Sequence, residues 1–301
     1  MANNNATFYK IDDDSNIQYE NNSFFVRFFS RLIILPILNT LPWKGGTFIF
    51  TKSSKSAASI YKLSKTSSAL EFLYTFNGKF DFTNSFLDSF FTFFWQHNIL
   101  NAKAARNRIK LVKRELGLAI ENLHRDKKRP INVLSLASGS ARAIIEVAAD
   151  LKKVGVLFDV KLLDLSPEAL ALSKKIALEK GVEDGIVEYC NDKVSNFLKY
   201  CKDWKPDIIE MVGFLDYLNQ DKAIKLSSDI FSVLPLGGIF ITCNIRNNYE
   251  RKFISKVVDW QMIYREPEEL LGVLLGGGFK PQKCKIIYDP TLIHGLALGV
   301  R

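Results

Sequence analysis

Residues 133–148 read VLSLASGSARAIIEVA: an apolar run, a turn of small residues centred on Gly139, and the start of a helical pattern. A small-residue turn ahead of a helix lets the backbone come close to a ligand, and the helix N-terminus presents free N–H groups to it. The three-glycine dinucleotide fingerprint is absent, because Ala137 and Ala141 stand in the flanking glycine positions. By itself the turn names no ligand.

Working outward, the next apolar run, VKLLDLSPEAL, ends in Asp164, 25 residues beyond Gly139. A carboxylate at a strand end can accept hydrogen bonds from both hydroxyls of a ribose. The alternative role for Asp164 is a solvated capping acid. Ser166, Pro167 and Glu168 then open a helix as N-cap, first residue and first-turn acid. After a third run come Asn191 and Asp192, from which a side chain can reach an adenine amino group.

The whole second half alternates in this way. Strands are predicted at 131–136, 158–163, 186–189, 208–212, 238–243, 283–288 and 295–300, and helices at 141–153, 167–180, 194–200, 220–233 and 266–275. Strands alternating with helices specify an α/β architecture, a Rossmann-like doubly wound sheet with helices on both faces. The last two strands are joined by a short loop and form a C-terminal antiparallel hairpin, which the all-parallel dinucleotide fold lacks.

Composition agrees with a folded chain. Of 301 residues, 47% are hydrophobic and 24% charged, which excludes a disordered or fibrous protein. Four cysteines without two-residue spacing point to neither a disulfide framework nor a structural metal, and a reducing, cytoplasmic setting is expected.

The net charge of +9 is concentrated: residues 1–130 hold 19 basic and 10 acidic side chains, while the remainder balances. Phenylalanine is concentrated too, with 16 of 23 before residue 98. Two regions are therefore expected, a helical, Phe-rich and basic cap or substrate region at 1–129 and the α/β unit at 130–301. The first twenty or so residues are polar and acidic, without the basic-then-apolar order of a secretory signal, and read as a frayed or loosely docked start.

Residues 24–43, FFVRFFSRLIILPILNTLPW, make an amphipathic helix with Arg27 and Arg31 on one strip. Those arginines and Pro36 argue against a span. Packing on the α/β unit is the preferred reading, and the other is an interfacial helix making peripheral membrane contact, its arginines drawn to anionic lipid. Gly45 and Gly46 predict a break. Residues 80–100 are too apolar for a solvated surface. Residues 102–123 form a long helix, and 103–129 carries ten basic and three acidic residues, a solvated face or a contact for an anionic ligand. Nucleic acid is the lesser option.

VLSLASGSAR, LLDLSPEAL, CND, PDIIEMVGFLDYL, LPLGGIFITCNI and GGFKPQKCKIIYDPTLIHGLALGV follow, in order and spacing, the successive motifs of class I S-adenosylmethionine-dependent methyltransferases. The resemblance covers residues 130–301, and the helical stretch before it resembles the N-terminal region of uncharacterised methyltransferases, some connected with lipid or acyl metabolism. It implies S-adenosylmethionine as cofactor. Ala137, Ser138, Gly139 and Ser140 would line its methionine part, Asp164 would hold the ribose, Leu165 the adenine, Asn191 and Asp192 the adenine edge, and Gly213 and Phe214 would pass near the sulfonium.

Two departures matter. The family usually has an acid where this chain has Ser135, and glycines at 137 and 141, so weaker cofactor binding is expected and a non-catalytic, cofactor-binding regulatory protein stays open. His97, in a lid, and Asp216 and Tyr217, after the fourth strand, are the candidate catalytic residues, with Asn244 a further substrate contact. His124 and His294 read as structural or solvated. No metal is expected. The implied acceptor is a small or lipid-like molecule with a carboxyl or hydroxyl group, and an RNA acceptor on the basic helix is the rival.

Overall fold

The computed structural model describes residues 9–40, 43–63, 67–75, 86–182 and 185–301. Its strands are β1 (Lys10–Ile11), β2 (Ile131–Leu136), β3 (Phe158–Asp164), β4 (Val187–Asn191), β5 (Ile208–Met211), β6 (Ile239–Ile245), β7 (Cys284–Tyr288) and β8 (His294–Val300). They form one sheet in the order β1-β7-β8-β6-β5-β2-β3-β4. Every neighbouring pair is parallel except β6–β8 and β7–β8, which places the antiparallel hairpin where the sequence predicts it. From β2 the chain steps to β3 and β4 on one side and returns to β5 on the other. The crevice at the strand C-termini beside this reversal is where such sheets bind ligands.

The helices are α1 (Phe24–Phe29), α2 (Leu35–Thr40), α3 (Trp43–Ser53), α4 (Lys55–Leu63), α5 (Ser67–Tyr74), α6 (Phe86–Asn98), α7 (Leu100–Lys127), α8 (Arg142–Lys153), α9 (Pro167–Glu179), α10 (Gln220–Val233), α11 (Arg251–Lys256) and α12 (Pro267–Gly276). Leu111, Leu116 and Ile120 of α7 share a core with Ile145 of α8, Ile176 of α9 and the strand residues Val133 and Leu162. Ile230 of α10 and Leu270 and Leu274 of α12 fill the other sheet face. The sequence groups α7 with the cap, yet it packs as a layer of the α/β unit.

A third core lies above the sheet edge, where Leu35, Phe50, Ile60, Trp95 and Ile99 meet Phe253, Val257 and Trp260. The N-terminal helices thus form a roof seated on α11 and the segment after it. Residues 76–85, which include the start of the apolar run at 80–100, lie outside the described residues.

Three sequence expectations are decided or changed. The acidic leader is docked: Lys10 and Ile11 pair with Ile287 and Tyr288, and Asp12 accepts from Arg114 at 2.7 Å. Further along it, Glu20 receives Arg106 at 2.7 Å and the Lys110 ammonium donates to the Gln18 carbonyl at 2.7 Å. Leader and basic helix are complementary in charge, so much of the α7 basic face is already occupied. Second, Gly45 and Gly46 do not break the chain, because α3 runs through them. A Cβ on Gly46 would lie 3.1 Å from the Leu38 carbonyl oxygen, so glycine serves close helix packing.

Third, residues 24–40 form a continuous helical run whose middle, Ser30–Ile34, widens into a π-turn just before Pro36. Proline lacks an N–H and clashes with the preceding turn, and a local widening relieves both. Leu35 and Leu38 face the third core, but α1 buries nothing: Phe24 is 76% and Phe25 71% exposed. The packed reading therefore holds from the π-turn onward, through Ser30, Ile34, Leu35 and Leu38, and not for α1. Among the described residues no single helix is long and apolar enough to cross a membrane.

Candidate functional site

The turn after β2 owes its shape to its backbone. Ala137, Gly139 and Ala141 all adopt left-handed angles, with φ of 51°, 56° and 48°. Alanine pays roughly 1–2 kcal/mol for that conformation, so two alanines here hold backbone angles that glycine adopts freely. Asp164 pins the turn: one carboxylate oxygen accepts from the Gly139 N–H at 2.8 Å and the other from the Ser166 N–H at 2.9 Å. Each oxygen keeps a lone pair for a further donor. The first N–H groups of α8 have no side-chain cap, and the Ser138 hydroxyl has no partner among the described residues.

These features line a cleft of about 1000 Å³ at the strand C-termini. Eight of the ten residues assigned to the donor are brought together there: Ala137, Ser138, Gly139, Ser140, Asp164, Leu165, Gly213 and Phe214. Asn191 and Asp192 are not. The Asn191 amide donates to the Asp164 and Leu165 carbonyls at 3.1 and 2.9 Å, tying β3 to β4. Asp192 turns away to accept from Asn196 and the Lys193 N–H, both at 2.7 Å, and its contact with Lys199 above all holds its carboxyl below the usual range. The neighbours Lys193, Val194 and Ser195 line that end of the cleft instead.

The acid missing at Ser135 is present one strand away. Ser135 sits opposite Glu210 in the β2–β5 register, and its hydroxyl donates to the Glu210 carboxylate at 2.5 Å. Burial pushes the Glu210 carboxyl up to about 7, against the hydrogen bond from Ser135. The available sequence signal was an acid inside the apolar run PDIIEMVGF.

A second, smaller chamber of about 90 Å³ lies under the N-terminal roof, and Arg108, Gly213, Tyr217 and Trp260 line both spaces. Asp216 and Tyr217 face this chamber. The Asp216 carboxylate accepts from the Ile245 N–H at 2.8 Å, and burial raises its pKa. The Tyr217 hydroxyl accepts from the Trp260 indole at 2.7 Å, and burial raises its pKa as well.

His97 lines neither space and lies 4.0 Å, ring to ring, from Phe93. Helical rotation by one position puts Gln96 in the chamber wall instead. Asn244 lines neither space and is held by Arg265 at 2.5 Å, whereas His294, read as structural or solvated, lines the chamber. Burial, and then the nearby Arg108, hold His294 well below its ordinary pKa, in the neutral form. Arg108 was missed as part of a basic face, yet it lies four residues before Val112 on the buried stripe. Among the described residues no cluster of His, Cys, Asp or Glu is placed to hold a metal ion.

By sequence, no family model and no curated protein matches the chain. By structure it resembles a possible exported protein from Bordetella parapertussis (14% identity, TM-score 0.62), over 78% of this chain and 79% of that one. It also resembles an O-methyltransferase family protein from Burkholderia thailandensis (15% identity, TM-score 0.53, 82% and 71% covered). A third likeness is to magnesium protoporphyrin IX methyltransferase from Synechocystis PCC 6803 with bound S-adenosylhomocysteine (11% identity, TM-score 0.50, 66% and 84% covered). At such identities the likeness concerns architecture: the chain has the Rossmann-like fold of class I S-adenosylmethionine-dependent methyltransferases.

Proposed function

We propose that the protein is an S-adenosylmethionine-dependent methyltransferase acting on a small, largely apolar acceptor of lipid or acyl type that carries a carboxyl or hydroxyl group. One observation supports this reading: the cleft lined by the donor-type residues shares Arg108, Gly213, Tyr217 and Trp260 with an adjoining, largely apolar chamber. The donor supplies a methyl group already activated on a sulfonium. Asp164 is placed to accept from the ribose hydroxyls, Glu210 offers negative charge to the cationic donor, and the turn at 137–141 gives backbone room beside the α8 N-terminus. Tyr217 and Trp260 flank the junction, joined by the indole-to-hydroxyl hydrogen bond of 2.7 Å. Alignment is the larger part of such catalysis, worth roughly 7–11 kcal/mol, with a general base adding roughly 10²–10⁴-fold where a proton must leave.

The rivals lose support. An RNA acceptor would use the α7 basic face, which the acidic leader covers. A non-catalytic binder was suggested by the acid missing at 135, which Glu210 replaces. The test is incubation with methyl-labelled donor and fractionated cell extract. Label should enter a low-molecular-weight apolar fraction as S-adenosylhomocysteine accumulates. Label in RNA, or donor bound without turnover, would replace this reading.

Glu210 gives the reading a pH signature. Its folded-state pKa is raised, so its contribution to stability is present at low pH and lost as pH rises through about 7. A bound cation favours the ionised carboxylate, so donor affinity should increase from pH 6 to 8 with proton release. Calorimetry in two buffers of different ionisation enthalpy measures this, and Glu210→Gln should flatten the profile.

Membrane contact through α1 and α2 completes the proposal. Phe24, Phe25, Phe28, Phe29, Leu32 and Ile37 are exposed beside Arg27 and Arg31, the composition of an interfacial helix. The wild-type protein should sediment with phosphatidylserine-containing vesicles. A Phe24→Ser/Phe25→Ser/Phe28→Ser variant should bind at least about tenfold more weakly, and equal binding by the two proteins would exclude this surface.

A further inference from the structure

We propose that the chamber beside the donor cleft binds a largely apolar carboxylic acid, and that Arg108 holds its carboxylate at the junction as the methyl acceptor, so that the product is a methyl ester. The inference rests on the methyltransferase reading and narrows it to one substrate class.

The walls supply the apolar part: Phe50, Ile60, Trp95, Phe253 and Trp260 surround the space. Three residues of the same wall, on three elements, carry partnerless nitrogens. Arg108 Nε on α7, Gln96 Nε2 on α6 and His294 Nδ1 at the start of β8 are buried with no hydrogen-bond partner among the described residues. The residues that carry them are only 4%, 1% and 8% exposed. A buried polar group without a partner is destabilising, and three residues of one chamber wall each carry such a group, so a ligand that brings acceptors to that wall would satisfy them.

Arg108 is the most demanding of them because a guanidinium stays charged. Among the described residues it forms no ion pair. Its contacts are the Tyr74 hydroxyl and, at 4.0 Å, the Cys243 sulfur. A buried cation of this kind is stabilised by an anion, and a carboxylate matches the guanidinium fork. Its position fits an acceptor rather than a remote anchor. A Cβ built on Gly213 would lie 3.7 Å from Arg108 Nη1, so the guanidinium sits at the end of β5 where cleft and chamber meet.

The other polar groups favour an acid over an alcohol. An alcohol needs a base to take its proton, and the chamber offers none that is ready. Burial and Arg108 both oppose a second positive charge on His294. The Asp216 carboxyl is already engaged by the Ile245 N–H at 2.8 Å, and burial raises the pKa of both Asp216 and Tyr217. A carboxylate needs no base. One of its oxygens contributes the electron pair of the new carbon–oxygen bond, the methyl–sulfur bond breaks, and that pair stays on sulfur. The carboxylate's negative charge and the sulfonium's positive charge disappear together, leaving a neutral ester and a neutral thioether, and no proton moves.

Two of the four tryptophans, Trp95 and Trp260, line the chamber, so their fluorescence reports occupancy without turnover. Butanoate, pentanoate and 3-methylbutanoate, short enough for the chamber, should be titrated beside alcohols of equal length, with and without S-adenosylhomocysteine. The acids should bind at least about tenfold more tightly than the alcohols, the worth of a charge-assisted hydrogen bond. Arg108→Gln should remove that preference while S-adenosylhomocysteine affinity changes by less than about threefold. Equal binding of acids and alcohols by the wild-type protein overturns the proposal whether or not the variant folds. A fall in S-adenosylhomocysteine affinity as large as the fall in acid affinity also overturns it, by assigning Arg108 to the donor. Failure of the wild-type protein to bind S-adenosylhomocysteine, with acid preference intact, refutes the methyltransferase reading instead. Label incorporated from donor should be released as methanol in alkali, and alkali-stable label refutes the ester.

Discussion

Asp164→Ala should lower donor affinity by roughly 10²–10⁴-fold, because two hydroxyl hydrogen bonds to a charged oxygen are worth roughly 1.5–3 kcal/mol each. The carboxylate has a second job, since it also accepts from the Gly139 and Ser166 N–H groups. Losing those contacts frees a turn that holds two alanines in the left-handed region, so a stability loss of roughly 1–3 kcal/mol should accompany the affinity loss. Asp164→Asn separates the two roles: its amide keeps one acceptor for the backbone but loses the charge. Calorimetry of S-adenosylhomocysteine binding beside thermal unfolding by circular dichroism measures both. A wild-type affinity in the folded alanine variant would remove the ribose assignment.

The second large effect concerns the roof. Helix α7 starts at Leu100 with no side-chain cap from Ile99. Its first N–H groups are satisfied from 150 residues away: the buried Glu250 carboxylate accepts from the Leu100 N–H at 2.7 Å and from the Asn101 N–H at 2.8 Å. The Asn101 side chain donates to it as well, at 2.7 Å. Glu250→Ala leaves these donors buried without an acceptor and should cost about 3–5 kcal/mol. For a chain of this size that is a fall in melting temperature of roughly 6–20 °C. Glu250→Gln, which keeps one acceptor oxygen, should lie between. Hydrogen exchange should show the first turns of α7, the ones leading to Arg108, opening before the sheet does. An unchanged melting temperature in Glu250→Ala would show that water caps the helix equally well.

The α/β half was legible because its signals are local. Apolar runs bounded by turns gave the strands, and Ser166, Pro167 and Glu168 gave a helix start that the structure reproduces with the Ser166 hydroxyl accepting from the Ala169 N–H at 3.1 Å. The position of Asp164 at a strand end was equally readable. Asp192 was not, because whether a carboxylate faces a cleft or its own following turn depends on neighbours such as Lys199 and Asn196 that compete for it. His97 failed for a geometric reason: one helical position is a rotation of about 100°, enough to exchange it for Gln96 in the wall.

The sequence by itself determined the order of the strands from Ile131 onward, the small-residue turn around Gly139, the acid at 164 and the final hairpin, since each follows from the conformational preferences of a few adjacent residues. Only the tertiary structure decided where charge resides. Strand register put Glu210 opposite Ser135, the acidic leader covered the basic helix, and packing buried Arg108 without an ion pair among the described residues. The reason is range: backbone preference acts over a few residues, whereas burial and charge pairing depend on partners dozens to hundreds of positions apart, brought together only when the chain is packed.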